Sequence, residues 1–207
     1  MQVDHLIPLR SSEIGNFRDV AFKKECHLSF FKNYEVTKAT SIDAQALVAL
    51  VNSAYRGDSS RLGWTTEADF LDGQRIDEAW LSDLIKDPNT VILCLRKQAS
   101  NQILACVELK KLKNDSVLLG MLSVSPVLQN QGLGAMLIRE SEAFVATHFQ
   151  AQKITMKVLS IRSELIAYYD RKGYALTKQH EAFPYGDSRF GIPKRKDLQF
   201  VIMEKTL

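Results

Sequence analysis

The chain has 207 residues, 45% of them apolar, and a formal net charge of +3. This length suits one domain, or one domain with an extension, and the apolar fraction is ample for a core. The near-neutral balance argues against a dedicated nucleic-acid binder, no apolar run approaches a membrane span, and the start lacks the features of a signal peptide.

Residues 1–32 mix charges with Phe17, Phe22, Phe30 and Phe31 and show no sustained period. They are expected to form an N-terminal extension that docks in cis or in a homodimer. From residue 33 the pattern becomes regular. Tyr34 to Ala39 alternates as a first strand. Thr40-Ser41-Ile42-Asp43 is a capping signal for a helix from Ala44 to Tyr55, with Leu47, Leu50, Val51 and Ala54 on one face. A polar loop, Arg56 to Trp64, leads to an acidic segment from Glu67. A further helix is expected over Ile76 to Lys86 and is ended by Asp87-Pro88-Asn89. Thr90 to Leu95 and Ile103 to Leu112 read as a hairpin.

Val117 to Val124 is almost continuously apolar, as in a central strand covered on both faces. Pro126 stops the ladder, and a helix runs from Leu133 to about His148. Lys153 to Leu159 is a strand, Ile161 to Lys172 a helix capped by Gly173, and Tyr174 to Lys178 and Gln199 to Lys205 are the last strands. The order βααβββαβαββ implies an antiparallel meander leading into a crossover helix, hence a mixed α/β sheet.

Cys26, Cys94 and Cys106 are odd in number and widely spaced, so no disulfide framework or zinc site is expected. Cys94 and Cys106 read as core residues, and a reduced, cytoplasmic setting is the simplest expectation. His5, His27, His148 and His180 have no partner at metal or triad spacing, so no metal is expected.

The segment Gln129-Asn130-Gln131-Gly132-Leu133-Gly134 lies between the central strand and its helix. Helix N-termini carry unpaired N–H groups, and glycines let an anion approach them, so the loop reads as a phosphate cradle. It has no Gly-Lys-Ser/Thr, as a P-loop would, and Leu137 stands where a dinucleotide fingerprint needs a third glycine. Gln129-x-x-Gly132-x-Gly134 after Leu122-x-Val124-x-Pro126 resembles the coenzyme A loop of the GNAT superfamily, the Gcn-type N-acetyltransferases. Leu165 to Tyr174, which contains Tyr168-Tyr169-Asp170-Arg171-Lys172-Gly173, resembles its second signature. It falls one strand and one helix later, as that fold requires. Ala54 to Gly57, Gly63 to Asp69 and Phe183 to Gly186 further resemble a subgroup of bacterial GNAT proteins of unassigned substrate. The resemblance covers residues 34–207 and not the extension.

The resemblance implies an α/β fold of GNAT type over residues 33–207. Its mixed, mainly antiparallel twisted sheet would be flanked by helices and splayed between the central strands. It also implies acetyl-CoA as cofactor and acetyl transfer to a primary amine of a small or amino-acid-like acceptor. A non-catalytic acyl-CoA-binding sensor and a protein N-acetyltransferase are the alternatives. Backbone from Gln129 through Asn130, Gln131, Gly132 and Leu133 to Gly134 would hold the pyrophosphate. Leu122, Ser123 and Val124 would present backbone to the thioester. Tyr169 occupies the position of the tyrosine that protonates the thiolate in many relatives, with Tyr168 as its neighbouring candidate. Arg162 stands where relatives often carry Asn, and it or Ser160 would reach the phosphates. Glu108, the one acid of its strand, is the candidate base, followed by Glu67. Tyr55, Arg56, Trp64, Glu67 and Tyr185 are candidate acceptor contacts, and Arg56 or Arg75 would bind an acidic acceptor or pair with Asp58 or Asp72.

Overall fold

The structure is a computed structural model and describes residues 33–113 and 115–207. The expected extension, residues 1–32, and Cys26 within it lie outside the described residues. Strand β1 (Tyr34–Lys38) is followed by helix α1 (Ala44–Tyr55), the short helix α2 (Gly57–Ser60), strand β2 (Leu71–Asp72) and helix α3 (Glu78–Lys86). Strands β3 (Thr90–Lys97), β4 (Gln102–Lys111) and β5 (Ser116–Val124) form the meander. Then come α4 (Leu133–Phe144), β6 (Lys153–Leu159), α5 (Ser163–Asp170), β7 (Ala175–Ala182), β8 (Ile192–Pro193) and β9 (Gln199–Thr206).

Seven strands build one sheet in the order β1-β3-β4-β5-β6-β9-β7, and β2 pairs with β8 apart from it. Only β5 and β6 are parallel, as a crossover through α4 requires. The sheet is covered on both faces. Ile92, Cys94, Cys106 and Met121 pack with Leu47 and Val51 of α1 and Leu81 of α3. The alternate residues Leu93, Leu95, Ala105 and Val107 are equally buried. Cys94 and Cys106 sit opposite one another in this core, and burial pushes the Cys94 thiol up to about 12. Among the described residues no helix is long and apolar enough to cross a membrane.

The helix over Ala44–Tyr55 forms as its capping signal implies, with Thr40 and Asp43 making a reciprocal capping box. Asp43 also pairs with Arg96 of β3 at 2.8 Å, tying the helix start to the sheet. The second helix begins later than its apolar pattern does. Asp77 accepts a hydrogen bond from the Trp80 N–H, so the cap falls there and Ile76 stays outside the helix. Strand β7 runs on to Ala182, past the expected Lys178.

Two departures from regular pairing shape the centre. Between Cys106 and Glu108 the β4–β5 register shifts, so that Met121 and Leu122 together oppose Val107. Met121 sits in the left-handed region at φ 52°, which costs a non-glycine residue about 1–3 kcal/mol. On the other side of β5, pairing with β6 covers only Ser116 to Leu118. Beyond Leu118 the two strands part, and Met121 and Leu122 have no strand partner on either side.

Candidate active site

Two cavities open where β5 and β6 part. The first, about 560 Å³, is lined by Leu122 and Val124 of β5, by Asn130, Gly132 and Gly134, and by Tyr168 of α5. The second, about 350 Å³, lies between α1, α3 and the Phe183–Phe190 segment, with Glu108 and Gly120 in its wall. Tyr55, Leu122, Leu165 and Tyr169 belong to both walls, so the cavities meet at these four residues.

The first cavity ends at the N-terminus of α4, where the backbone makes two left-handed steps, Asn130 at φ 64° and Gly132 at φ 81°. They turn the chain so that Gly132, Leu133 and Gly134 present backbone to the space. No cap is supplied to α4 by a side chain. Its first N–H groups are thus free of side-chain partners at the end where an anion is favoured. A Cβ at Gly134 would meet the Tyr168 hydroxyl and Val124 at 3.5 Å, in ordinary contact. Arg171 and Lys172 add positive charge to the same wall. These features fit the pyrophosphate and pantetheine arm of coenzyme A.

Gln129 borders the first cavity, where its backbone is expected to meet the cofactor, while its side chain is engaged within the protein. Its side-chain carbonyl accepts the Trp64 N–H at 2.8 Å, and its amide donates to the Thr65 hydroxyl at 2.9 Å and the Val124 carbonyl at 3.2 Å. The side chain packs so closely on Gly63 that a Cβ there would fall 2.6 Å from it. Gln129 therefore pins the Gly63–Thr65 loop to the end of β5, although it also borders the first cavity. Ser123 is fully buried and donates to the Met121 carbonyl, so its side chain turns away from the space. Gln131 is exposed and lies in neither wall.

Arg162 is placed elsewhere. It is 2% exposed, and its guanidinium donates to the Trp64 carbonyl at 3.1 Å, the Thr65 carbonyl at 3.3 Å and the Thr66 carbonyl at 3.1 Å. Its Nε binds Glu164. The side chain borders the second cavity rather than the first and holds the loop that carries Trp64. Trp64 in turn packs edge-on against Tyr168, with ring centroids 5.2 Å apart.

At the junction the Tyr55 hydroxyl donates to the Leu122 carbonyl at 2.7 Å, which fixes the peptide that follows the bulge. Burial, then the charge of Glu67, push the Tyr55 phenol up to about 12. The Tyr169 hydroxyl has no hydrogen-bonding partner among the described residues and opens into the cavities. Burial foremost, with the neighbouring Tyr55 and Tyr168, holds it protonated far above the ordinary phenol range.

Glu108 extends over Gly120, where a Cβ would stand 3.4 Å from its Oε2. Its carboxylate has no ion pair or hydrogen bond among the described residues. Burial raises its pKa, against the pull of Arg75 and Lys110. Glu67, the other candidate base, forms a buried ion pair with Arg56 in the second wall. Arg56 also donates to the Tyr55 and Phe190 carbonyls. Of the expected acceptor contacts, Tyr55, Arg56 and Glu67 line the second cavity, while Trp64 lines the first. Tyr185 lines neither; its hydroxyl accepts the Leu198 N–H at 2.7 Å and donates to the Arg195 carbonyl at 3.3 Å. Its neighbours Phe183 and Pro184 border the cavity instead. Among the described residues no group of His, Cys, Asp and Glu side chains is clustered to hold a metal ion.

The parallel central strands thus part beside the N-terminus of α4, and the first cavity lies between them. The profile of the acetyltransferase (GNAT) family matches residues 47–174, and the chain belongs to that family. Solved structures share the fold. The ribosomal-protein-S18-alanine N-acetyltransferase of Escherichia coli is 15% identical over 84% of this chain and 93% of its own, at TM-score 0.59. A variant of the spermidine N-acetyltransferase of Vibrio cholerae is 12% identical over 84% and 94%, at 0.61. The ribosomal-protein-alanine N-acetyltransferase of Brucella melitensis is 17% identical over 84% and 99%, at 0.61. Comparison with curated protein sequences gives no match.

Proposed function

We propose that the protein is an acetyl-CoA-dependent N-acetyltransferase acting on the primary amine of a small, amino-acid-like acceptor in the cytoplasm. The carrying observation is the meeting of two cavities at Tyr55, Leu122, Leu165 and Tyr169, one ending in backbone N–H groups and the other holding a carboxylate. The bound coenzyme supplies an acetyl thioester. Backbone from Asn130 to Gly134 holds the pyrophosphate, with Arg171 and Lys172 at the rim. The Leu122 N–H, one peptide before the carbonyl that Tyr55 holds, would donate to the thioester carbonyl and stabilise negative charge there. Glu108 would take a proton from the acceptor ammonium, directly or through a water, leaving a neutral amine as the nucleophile. Its raised pKa brings it closer to the working range of a base. Tyr169 would give its phenolic proton, which burial keeps in place, to the leaving thiolate.

Calorimetry with acetyl-CoA and release of free thiol with amines, polyamines and amino acids test this reading. Saturable binding and acceptor-dependent release are expected. No saturable binding at millimolar acetyl-CoA overturns it, and binding without turnover of any acceptor converts it to a sensor.

A further inference from the structure

The charges in the wall of the second cavity are almost all spent on one another. Arg56 pairs with Glu67, and Lys157 pairs with Glu181 at 2.6 Å. Arg162 is taken by three loop carbonyls and Glu164. Two groups remain, one of each sign. Glu108 has no ion pair among the described residues, and neither does Arg75.

Arg75 is half-buried, and aromatic rings hold its guanidinium. The group lies 5.7 Å from the Tyr55 ring centroid and 5.9 Å from that of Trp80. A guanidinium held by ring faces rather than by hydrogen bonds keeps its N–H fork, which matches a carboxylate bidentately. Its backbone is fixed as well, since the Arg75 N–H donates to Asn52 Oδ1 at 2.6 Å. Asp58 and Asp72, its expected partners, bind Arg61 and Lys194 instead. Arg75 attracts Glu108 through space but forms no direct ion pair with it, so its N–H fork is open to a ligand carboxylate. The rest of the wall is apolar and aromatic, with Leu71, Ile76, Trp80, Phe183, Phe190 and Phe200.

We infer that the acceptor is a zwitterionic amino acid with an apolar side chain, its carboxylate held by Arg75 and its ammonium by Glu108. The inference rests on the transferase reading and narrows it. One unpaired cation and one unpaired carboxylate match a zwitterion. A polyamine, with several ammonium groups and no anion, would need further free carboxylates, and the wall offers only Glu108 among the described residues. The apolar surface then takes the side chain, while Tyr55 spans the distance from Arg75 to Leu122 at the junction.

Thiol release at saturating acetyl-CoA tests this with phenylalanine, leucine and methionine, their carboxamides, phenethylamine and spermidine. The amino acids are expected to exceed the carboxamides and phenethylamine in kcat/KM by on the order of 10- to 100-fold, the worth of a charged hydrogen-bonded pair. Arg75→Met raises KM for the amino acid by the same factor and KM for the carboxamide by far less, and Arg75→Lys recovers part of the loss. Equal turnover of carboxamide and amino acid, an equal loss for both in Arg75→Met, or turnover of no amino acid overturns the inference. Acetyl-CoA calorimetry on the same samples separates the two failures. Binding with turnover of amines alone leaves the transferase standing, and absence of binding removes both.

Discussion

Arg162→Met separates a structural arginine from a phosphate-binding one. The guanidinium satisfies three carbonyls, those of Trp64, Thr65 and Thr66, at 3.1–3.3 Å and with 2% of the residue exposed. These bonds are long, so a net worth of about 1 kcal/mol each is appropriate, giving roughly 3 kcal/mol for the set. The bond to Glu164 adds little, because that side chain is 54% exposed. For a domain of this size, 3 kcal/mol corresponds to a fall in Tm of about 6–12 °C. Thermal melts followed by circular dichroism measure it. Calorimetry with acetyl-CoA well below the transition, at two salt concentrations, measures what remains of binding. The fall in Tm is expected together with an unchanged salt dependence of acetyl-CoA affinity. A Tm within about 2 °C of wild type, with affinity more than about 10-fold weaker and less sensitive to salt, would refute the reasoning and return Arg162 to the phosphates.

Tyr169→Phe is expected to lower kcat by about 100-fold or more with little change in stability, since the lost hydroxyl has no protein partner among the described residues; a rate unchanged across pH removes Tyr169 as the acid. Glu108→Gln should abolish the acid limb of the kcat/KM profile, and persistence of that limb transfers the role of base elsewhere. The same variant bears on stability. Burial raises the Glu108 pKa in the native state, so native protein holds its proton more tightly and stability falls as pH rises through the native value. Glu108→Gln therefore raises Tm at pH 8 relative to wild type, and an unchanged or lower Tm contradicts the burial argument. Asp43 has the opposite sign. Burial alone would raise its pKa, but bonds from Thr40 and the Arg96 guanidinium outweigh it and lower it. Its contribution is present above the unfolded value and is lost as pH falls through the lower native one. Asp43→Asn should cost about 3 kcal/mol in urea unfolding at pH 7, because it leaves Arg96 buried and unpaired. It should also flatten the acid limb of the stability profile; a loss under about 0.5 kcal/mol contradicts the ion pair's role.

Much of the fold was legible because its signals are local. The helix Ala44–Tyr55 announces itself by a capping box and an apolar stripe, and β5 by its apolar run. The pair β2–β8 was not legible, since two-residue strands show no period and meet across the chain. The parting of β5 and β6 was foreseen through the family resemblance. The left-handed Met121 that accompanies it carries no mark in the sequence, because methionine has no preference for that conformation. Among site residues, backbone contributors were the readable ones. Gly132 and Gly134 advertise close approach by their type, whereas a long polar side chain shows only what it can bind. Arg162 and Tyr185 were read as side-chain ligand contacts, yet tertiary neighbours occupy both side chains. Arg171 and Lys172 follow Tyr169 closely in the signature and line the first cavity, a proximity that their place in the sequence already offered.

The same bonds explain how one loop serves both cavities. Residues 63–67 are held by Gln129 from the cofactor loop, by Arg162 from the start of α5, and by α1 through the Glu67 N–H on the Tyr55 carbonyl at 2.9 Å. Trp64 and Thr65 face the first space, and Glu67, two residues on, faces the second. A residue in this segment that loses its anchor thus disturbs both walls. That is a physical reason for two buried or half-buried polar side chains, Gln129 and Arg162, to be committed to holding a loop. It also leaves the acceptor cavity with few free charges. Recognition there falls to the two groups of the wall that form no direct ion pair among the described residues, Arg75 and Glu108, and their opposite signs set the chemistry of what can enter.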